Sequence, residues 1–254
     1  MAEKVQFRLK LTLLTLLTLL FFHLRSQPAM ETDGIILKIY NQDFNGIPEK
    51  IENLKRSSPQ IVPYIKIDYL WWRMISNLNT ETETDFLNGL NSLNETNSGN
   101  QDFNKLAYFI YQIRYENLRN KSFSKYLTIL KFHLYVGNIS YKRTEGFDSF
   151  ENSIIQMITA LNSYMKYRFL EDYGLQAKKN RENCQSCLAK IEKLRNTDFK
   201  SFEVIKTYFL GKIYLEIEND HQQAISKFEK LSGMFPENVI FRKTLSDCKI
   251  RVSQ

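Results

Sequence analysis

The sequence is poor in the residues that interrupt helices and in those that carry most enzyme chemistry. Its 254 residues include only 9 Gly, 5 Pro, 3 Cys and 3 His. So few Gly and Pro cannot supply the many tight turns of a β-sandwich or a barrel. With 43% hydrophobic residues, however, the chain is too apolar to be disordered throughout, and it is long enough to bury a substantial core. These counts predict an all-α protein.

Motifs that are typical of catalytic sites are also missing. The sequence has no G-x-S-x-G, no H-E-x-x-H and no phosphate-binding G-x-x-x-x-G-K-[ST]. Only His133 and His221 follow residue 26, which leaves little material for a general base that uses histidine. The sequence therefore predicts a protein that is not an enzyme and needs no cofactor.

The cysteines carry one feature that is typical of redox enzymes. Cys184 and Cys187 form a C-x-x-C pair, which in thiol–disulfide enzymes lies at a helix N-terminus beside a βαβ unit. No such unit surrounds the pair, so a local disulfide or two free thiols in a core are favoured. The remaining soft ligands do not show metal-ligand spacing, and no metal site is predicted. Thiol–disulfide exchange through the pair stays an alternative function.

The N-terminus has the pattern of a secretory signal. Basic residues up to position 10 precede an apolar stretch without charge, Leu11–Leu24. This stretch is short for a spanning helix, which needs about 20 residues. Cleavage after Ser26 would release residues 27–254 as one domain into the periplasm or the extracellular space. The alternative is an uncleaved signal-anchor, which would tie an adaptor to the membrane through residues 11–24.

The charge distribution argues against a nucleic-acid partner. The chain carries a net charge of +7, of which residues 1–26 account for +3, which leaves +4 on the remainder. Basic and acidic residues alternate along that remainder, whereas nucleic-acid binders concentrate their basic residues in a stripe. We therefore expect a solvated helical surface and no nucleic-acid binding.

One segment, residues 205–238, has the spacing of a helical repeat: L-G-x2-Y, then A-x3-F, then P. The matching residues are Leu210, Gly211, Tyr214, Ala224, Phe228 and Pro236. In such a pattern Gly211 and Ala224 are small so that two helices can approach closely, and Pro236 stops the second helix. Thr207 stands where the pattern has Trp, and the turn is about one residue longer than usual. The segment resembles a tetratricopeptide repeat.

Because a single repeat cannot bury its own apolar faces, the resemblance implies further copies. Residues 31–59 are the second candidate, although Ile47 replaces the small residue. Along the whole chain we expect an α-solenoid of about five antiparallel helix pairs, followed by a short C-terminal capping helix. Trp71 and Trp72 would be buried between neighbouring units, or one of them would face the binding surface.

The resemblance also implies a function. In this family the first helices of successive units line a concave groove that holds a peptide or a helix of a partner. The residues that match the groove face are Ile205, Tyr208, Lys212 and Leu215. The sequence therefore predicts an exported, non-catalytic scaffold for a protein or peptide partner that it does not identify.

Overall fold

The computed structural model describes residues 30–95, 101–139, 149–172, 177–194 and 199–253. All regular structure in these ranges is helical, which confirms the predicted all-α class. The eleven helices of the described chain are α1 (30–40), α2 (Ile47–Ser57), α3 (Val62–Ser76), α4 (Thr80–Glu95), α5 (Gln101–Leu118), α6 (Ser122–Ile139), α7 (Ser149–Asp172), α8 (Ala177–Lys193), α9 (Lys200–Ile213), α10 (His221–Met234) and α11 (Val239–Ser253). The predicted signal, residues 1–26, lies outside these ranges. None of the described helices has the length and apolar character needed to cross a membrane.

The helices pack as neighbouring pairs in chain order. Helix α3 packs on α4, α5 on α6, α7 on α8, and α9 on α10, while α11 packs on α10. The first members of the pairs also contact one another, because α3 touches α5, α5 touches α7 and α7 touches α9. These helices therefore form a continuous inner layer, and the second helices lie outside it.

Two residues that commonly interrupt helices, Pro63 and Gly137, lie inside helices of the structure. Pro63 lies in the first turn of α3, where the missing N–H costs nothing, so Ile61–Ile67 joins a helix and not a strand. Gly137 lies in the last turn of α6, which continues to Ile139. A glycine in an exposed helix costs only about 1 kcal/mol relative to alanine, which is too little to end a helix that packs on both neighbours.

The longer turn of the segment 205–238 is accommodated by a change in helix type. A π-helical turn, Tyr214–Glu218, follows α9 and takes up the additional residue. Asn219 then adopts a left-handed conformation with φ 54°. Asp220 caps α10, since its Oδ1 accepts a hydrogen bond from the Gln223 N–H at 3.0 Å.

The close approach of α9 and α10 depends on a glycine. A Cβ atom at Gly211 would lie 2.8 Å from Cε2 of Phe228, and that ring is fully buried. Ala224 is also fully buried. The two small residues therefore let the helices approach until the Phe228 ring fills the space between them.

Helix α1 contacts the start of α9 in the C-terminal part of the chain. Asp33 of α1 accepts hydrogen bonds from the backbone N–H groups of Lys200, at 3.1 Å, and Ser201, at 2.8 Å. These are first-turn donors of α9, whose own N-cap residue, Phe199, makes no side-chain cap. A side chain of α1 thus caps a helix more than 160 residues away in the sequence.

A second contact joins α1 to the start of α11. The Asn238 side chain donates to the Tyr40 carbonyl oxygen at 2.6 Å, and its Oδ1 accepts from the Phe241 N–H at 3.0 Å. The Tyr40 ring also packs edge-on against Phe235, with centroids 6.4 Å apart. The two ends of the described chain therefore meet, and the inner layer closes on itself.

Substitution of Gly211 by alanine tests the close approach. Although alanine is the better helix former, the new methyl group would overlap the buried Phe228 ring, and we expect a loss of about 1–3 kcal/mol in unfolding free energy. The matched control is Gly137→Ala, where a Cβ meets nothing within 4 Å, so that this change should stabilise. Urea unfolding followed by circular dichroism measures both, and a stabilising Gly211→Ala would contradict the packing.

Candidate functional site

The inner layer surrounds a pocket with about 80 Å³ of free volume. The first helix of every pair contributes to it, and α11 closes it. The lining residues are Tyr40 from α1; Tyr64, Asp68 and Trp72 from α3; Ala107, Ile110, Tyr111 and Arg114 from α5; Ile154, Met157, Ile158 and Leu161 from α7; Val204, Ile205, Tyr208 and Phe209 from α9; and Phe241 from α11. The α7 and α9 walls are apolar and aromatic, whereas the polar groups lie together on α3 and α5.

Asp68 is the central polar group of the pocket. Its side chain is 2% exposed, and its Oδ1 accepts a hydrogen bond from the Tyr111 hydroxyl at 2.5 Å. Its other oxygen, Oδ2, makes no hydrogen bond of good geometry among the described residues, although the Trp72 N–H and the Tyr40 hydroxyl lie close enough to lower the pKa of the carboxyl. Burial raises the pKa of this carboxyl to about 6, although the Tyr111 hydrogen bond and the charge of Arg114 both lower it. A buried acceptor without a well-aligned donor is costly, so Asp68 Oδ2 can accept a hydrogen bond from a ligand in the pocket.

Arg114 supplies the opposite charge without pairing with Asp68. Its guanidinium carbon lies 4.4 Å from the centroid of a Trp71 ring and 5.2 Å from that of Tyr111. The guanidinium makes no ion pair within 4.0 Å among the described residues. Stacking on aromatic faces holds the group in place, and its N–H donors remain available to an acceptor in the pocket.

Three tyrosines surround the carboxylate. Burial raises the pKa of Tyr40, Tyr64 and Tyr111, and the charge of Asp68 raises it further. All three hydroxyls therefore stay protonated at physiological pH and act as neutral hydrogen-bonding groups. They surround the carboxylate with O–H groups and add no second charge.

Both tryptophans of the pair are buried, and one of them also lines the pocket. Trp71 and Trp72 are each 5% exposed, and neither indole N–H is aligned with an acceptor among the described residues. The Trp71 ring packs on Phe86, whereas the Trp72 ring packs on Phe241, with centroids 5.7 Å apart, and reaches the pocket.

Of the four residues that the sequence assigned to the groove, two line the pocket and two do not. Ile205 and Tyr208 line the pocket. Lys212 instead forms an ion pair with Glu216 one turn along the same segment, and Leu215 is buried in the π-helical turn. The lining of the pocket thus includes two of the four.

Sequence reasoning missed Asp68, Tyr111 and Arg114. A signal for Asp68 was present, since it lies four residues after Tyr64 and four before Trp72 on an otherwise apolar helix face. A charged residue at a core position of this kind is unusual unless it is paired or functional. Nothing in the sequence shows that α5 would bring Arg114 and Tyr111 to the same point.

The cysteine pair lies in the core. Helix α8 begins at Ala177, so Cys184 and Cys187 lie in its interior and not at its N-terminus. Both are free thiols, 0% and 2% exposed, and they donate to the carbonyl oxygens of Ser163 and Ala160. Burial raises their pKa values to about 12 and about 11. This is the opposite of what an attacking thiolate needs.

The described residues contain no cluster of His, Cys, Asp or Glu that could hold a metal ion. No protein-family model, curated protein or solved structure matches the chain. The function therefore has to be argued from the pocket and its chemistry.

The substitution Asp68→Asn tests the burial of the carboxylate. Because the folded-state pKa of Asp68 lies above its unfolded value, the native state binds the proton more tightly than the unfolded state does. The contribution of Asp68 to the unfolding free energy therefore falls as pH rises from about 4 to about 6. The asparagine variant lacks this titration. Its unfolding free energy relative to wild type should therefore rise by up to about 3 kcal/mol between pH 4 and pH 7.5.

The matched control is Asp43→Asn on the surface. A hydrogen bond from Lys38 lowers the pKa of Asp43, so its stabilising effect is present at neutral pH and is lost on acidification. The difference from wild type should therefore change with the opposite sign. Urea unfolding at a series of pH values measures both variants, and a difference for Asp68→Asn that does not vary with pH would contradict a buried, ionising carboxylate.

Native thiol reactivity tests the redox alternative. At pH 8 the burial of Cys184, Cys187 and Cys248 and their raised pKa values should prevent reaction with Ellman's reagent in the folded protein. All three thiols should react once the chain is unfolded in urea. Rapid reaction of the native pair would support disulfide exchange instead.

Proposed function

We propose that this protein is an exported, non-catalytic scaffold with a tetratricopeptide-like solenoid of helix pairs. It holds a protein or peptide on the inner layer of helices, with one anchoring side chain in the pocket. One observation carries the proposal: the first helices of all five pairs contribute residues to a single pocket. This is the surface that the family resemblance assigns to ligand binding.

The size of the pocket sets the kind of ligand group. A free volume of about 80 Å³ holds several waters or one side chain, and it is too small for a whole helix. The apolar walls from α7 and α9 favour a side chain with an apolar stem. Such an anchor in a desolvated pocket typically supplies much of the affinity of an interface.

The polar end of the pocket sets the chemistry of the anchor. Asp68 Oδ2 makes no well-aligned hydrogen bond and Arg114 makes no ion pair among the described residues, and together the two groups carry no net charge when both are ionised. An amine would donate to Asp68 but would be repelled by Arg114. A carboxylate would accept from Arg114 but would be repelled by Asp68. A carboxamide carries a donor and an acceptor on neighbouring atoms, so we expect a glutamine or asparagine side chain at this point.

The proposal assigns no chemical step to the protein. The described lining of the pocket contains no histidine or cysteine, and burial raises the pKa of the Tyr111 hydroxyl that donates to Asp68, which keeps this hydroxyl protonated. Selectivity would come from the groups around the pocket, and binding would be an equilibrium.

Export rests on the N-terminal sequence. Cleavage after Ser26 would release residues 27–254, whereas retention of residues 11–24 would make the protein a membrane-tethered adaptor. N-terminal sequencing of the product from the native cell separates the two, since a product that begins at Met1 contradicts cleavage.

A variant that fills the pocket tests the binding site. Ala107 lines the pocket from α5, so Ala107→Leu should occupy the space that the anchor needs and weaken binding of the captured partner at least tenfold, or about 1.4 kcal/mol. The matched control is Ala189→Leu on an exposed position of α8, which should leave the affinity unchanged. Calorimetry with a stoichiometric partner captured from a native envelope extract measures both.

Equal affinity of the two variants would contradict the pocket as the binding site, provided that circular dichroism shows both to be folded. Failure of the wild type to capture any stoichiometric protein would contradict the scaffold function itself.

A further inference from the structure

The pocket contains many hydrogen-bond donors and one charged acceptor. Of the seven polar side chains in its described lining, six carry an N–H or O–H donor. These six are Tyr40, Tyr64, Trp72, Tyr111, Arg114 and Tyr208. The seventh, Asp68, can only accept when it is ionised, and it becomes a further donor when it is protonated. The hydrogen-bonding character of the pocket therefore depends on one carboxyl group.

Asp68 faces one full charge, that of Arg114. After burial, the groups that act on the pKa of the carboxyl are, in decreasing order, the Tyr111 hydroxyl, the Arg114 guanidinium, the Trp72 N–H and the Tyr40 hydroxyl. Arg114 is the one charged group among them. Its charge is therefore what remains in the pocket when the carboxyl takes up a proton.

The other helices add no further charge to the part of the lining that the structure describes. Tyr64 lies on α3 itself, and α9 contributes Tyr208 as its one titratable side chain there. Helices α7 and α11 contribute apolar side chains, and the remaining described helices contribute none. The pocket thus has no net charge while Asp68 is ionised, and a net charge of +1 once it is protonated.

Both forms of the pocket are populated near neutral pH. Burial raises the pKa of Asp68 to about 6, so the carboxyl is mostly ionised at about pH 7.5 and mostly protonated at about pH 5. The lining residues are the same in both forms. The two forms therefore differ in net charge and in one donor.

We propose that protonation of Asp68 changes the ligand class of the pocket from a carboxamide to a carboxylate. This switch of ligand class rests on the function proposed above, because it concerns the anchoring side chain at the same site. While Asp68 is ionised, a carboxamide donates to it and accepts from Arg114, whereas a carboxylate is repelled. Once Asp68 is protonated, the guanidinium has no counter-charge in the pocket. A glutamate or aspartate side chain then supplies this charge through charge-assisted hydrogen bonds.

Two small probes of fixed charge test the switch in the full-length chain. Nitrate has the planar shape of a carboxylate and stays an anion from about pH 5 to about pH 8, whereas propionamide carries the carboxamide and stays neutral. Binding is read from the indole N–H resonance of Trp72, which lines the pocket. The chain has two Trp, so Trp71→Phe assigns the two indole peaks. Gluconate, a bulkier anion, holds the ionic strength constant.

For the wild type we expect nitrate to shift the Trp72 peak saturably at pH 5. Its affinity should fall about tenfold for each pH unit above 6, because the protonated form becomes rarer by that factor. Propionamide should show the opposite trend and bind several-fold more weakly at pH 5 than at pH 7.5, because its N–H then loses a charged acceptor.

The substitution Asp68→Asn should keep the pocket cationic at every pH. The amide has a donor and no charge, so this variant should bind nitrate at pH 8 within about threefold of the wild-type affinity at pH 5. The matched control is Asp43→Asn, which removes a negative charge that pairs with Lys38 outside the pocket and should keep the wild-type pH profile. Arg114→Gln should abolish nitrate binding throughout. Circular dichroism confirms that each variant is folded.

Two sources can supply the carboxylate: a side chain of a peptide or a free short-chain acid. At about pH 5.5, acetyl-glutamate methylamide is compared with propionate, with each affinity corrected for the ionised fraction of the probe. We expect the capped glutamate to bind more tightly, because its backbone also contacts the inner helices. Tighter binding of propionate would overturn the assignment to a peptide side chain.

Any of three results would contradict the switch. The first is a wild-type affinity for nitrate that does not change with pH. The second is a folded Asp68→Asn variant that does not bind nitrate at pH 8. The third is nitrate binding that Arg114→Gln leaves unchanged, which would place the anion elsewhere.

Propionamide separates failure of the switch from failure of the proposed function. If propionamide shifts the Trp72 peak at pH 7.5 but nitrate does not shift it at pH 5, the switch is wrong and the carboxamide anchor stands. If propionamide binds at no pH, the anchor chemistry proposed for the pocket is wrong as well.

Discussion

The contacts of α1 with α9 and with the start of α11 determine the shape of the inner layer. Asp33 caps α9 from α1, and Asn238 joins the start of α11 to the Tyr40 carbonyl. These contacts hold α1 against the C-terminal helices. With them, residues from six helices meet around one small pocket, and the binding surface becomes a site for a single anchor group.

The buried polar groups of the pocket destabilise the fold, and the packing of the core does not require them. Asp68 is buried with one oxygen that makes no well-aligned hydrogen bond, and the Trp72 indole N–H beside the same pocket is likewise not aligned with an acceptor. Orphaned polar groups of this kind destabilise a fold by about 1–3 kcal/mol each. An apolar residue would pack at position 68 at lower cost, so a carboxylate at this position agrees with the proposed binding role.

The sequence was sufficient to predict the helices, but it did not predict the contacts that close the inner layer. The periodicity predicted the helix pairs and the final helix, and the spacing of Gly211, Ala224 and Phe228 identified where two helices approach closely. Local patterns say nothing about a hydrogen bond between residues 198 positions apart, such as Asn238 and Tyr40. Of the pocket residues, the groove prediction therefore included only Ile205 and Tyr208. Asp68 and Arg114 were missed because they lie in one pocket only when α3 and α5 pack side by side.

The most direct test of the closed inner layer is an NMR measurement of contacts between aromatic rings. The account predicts nuclear Overhauser effects between the rings of Tyr40 and Phe235, whose centroids lie 6.4 Å apart, and between those of Trp72 and Phe241, at 5.7 Å. Both pairs join the N-terminal helices to the C-terminal ones. Their absence, in a protein whose Tyr208 and Phe228 rings still show the contact within the last pair, would mean that the array is open and that the enclosed pocket does not exist.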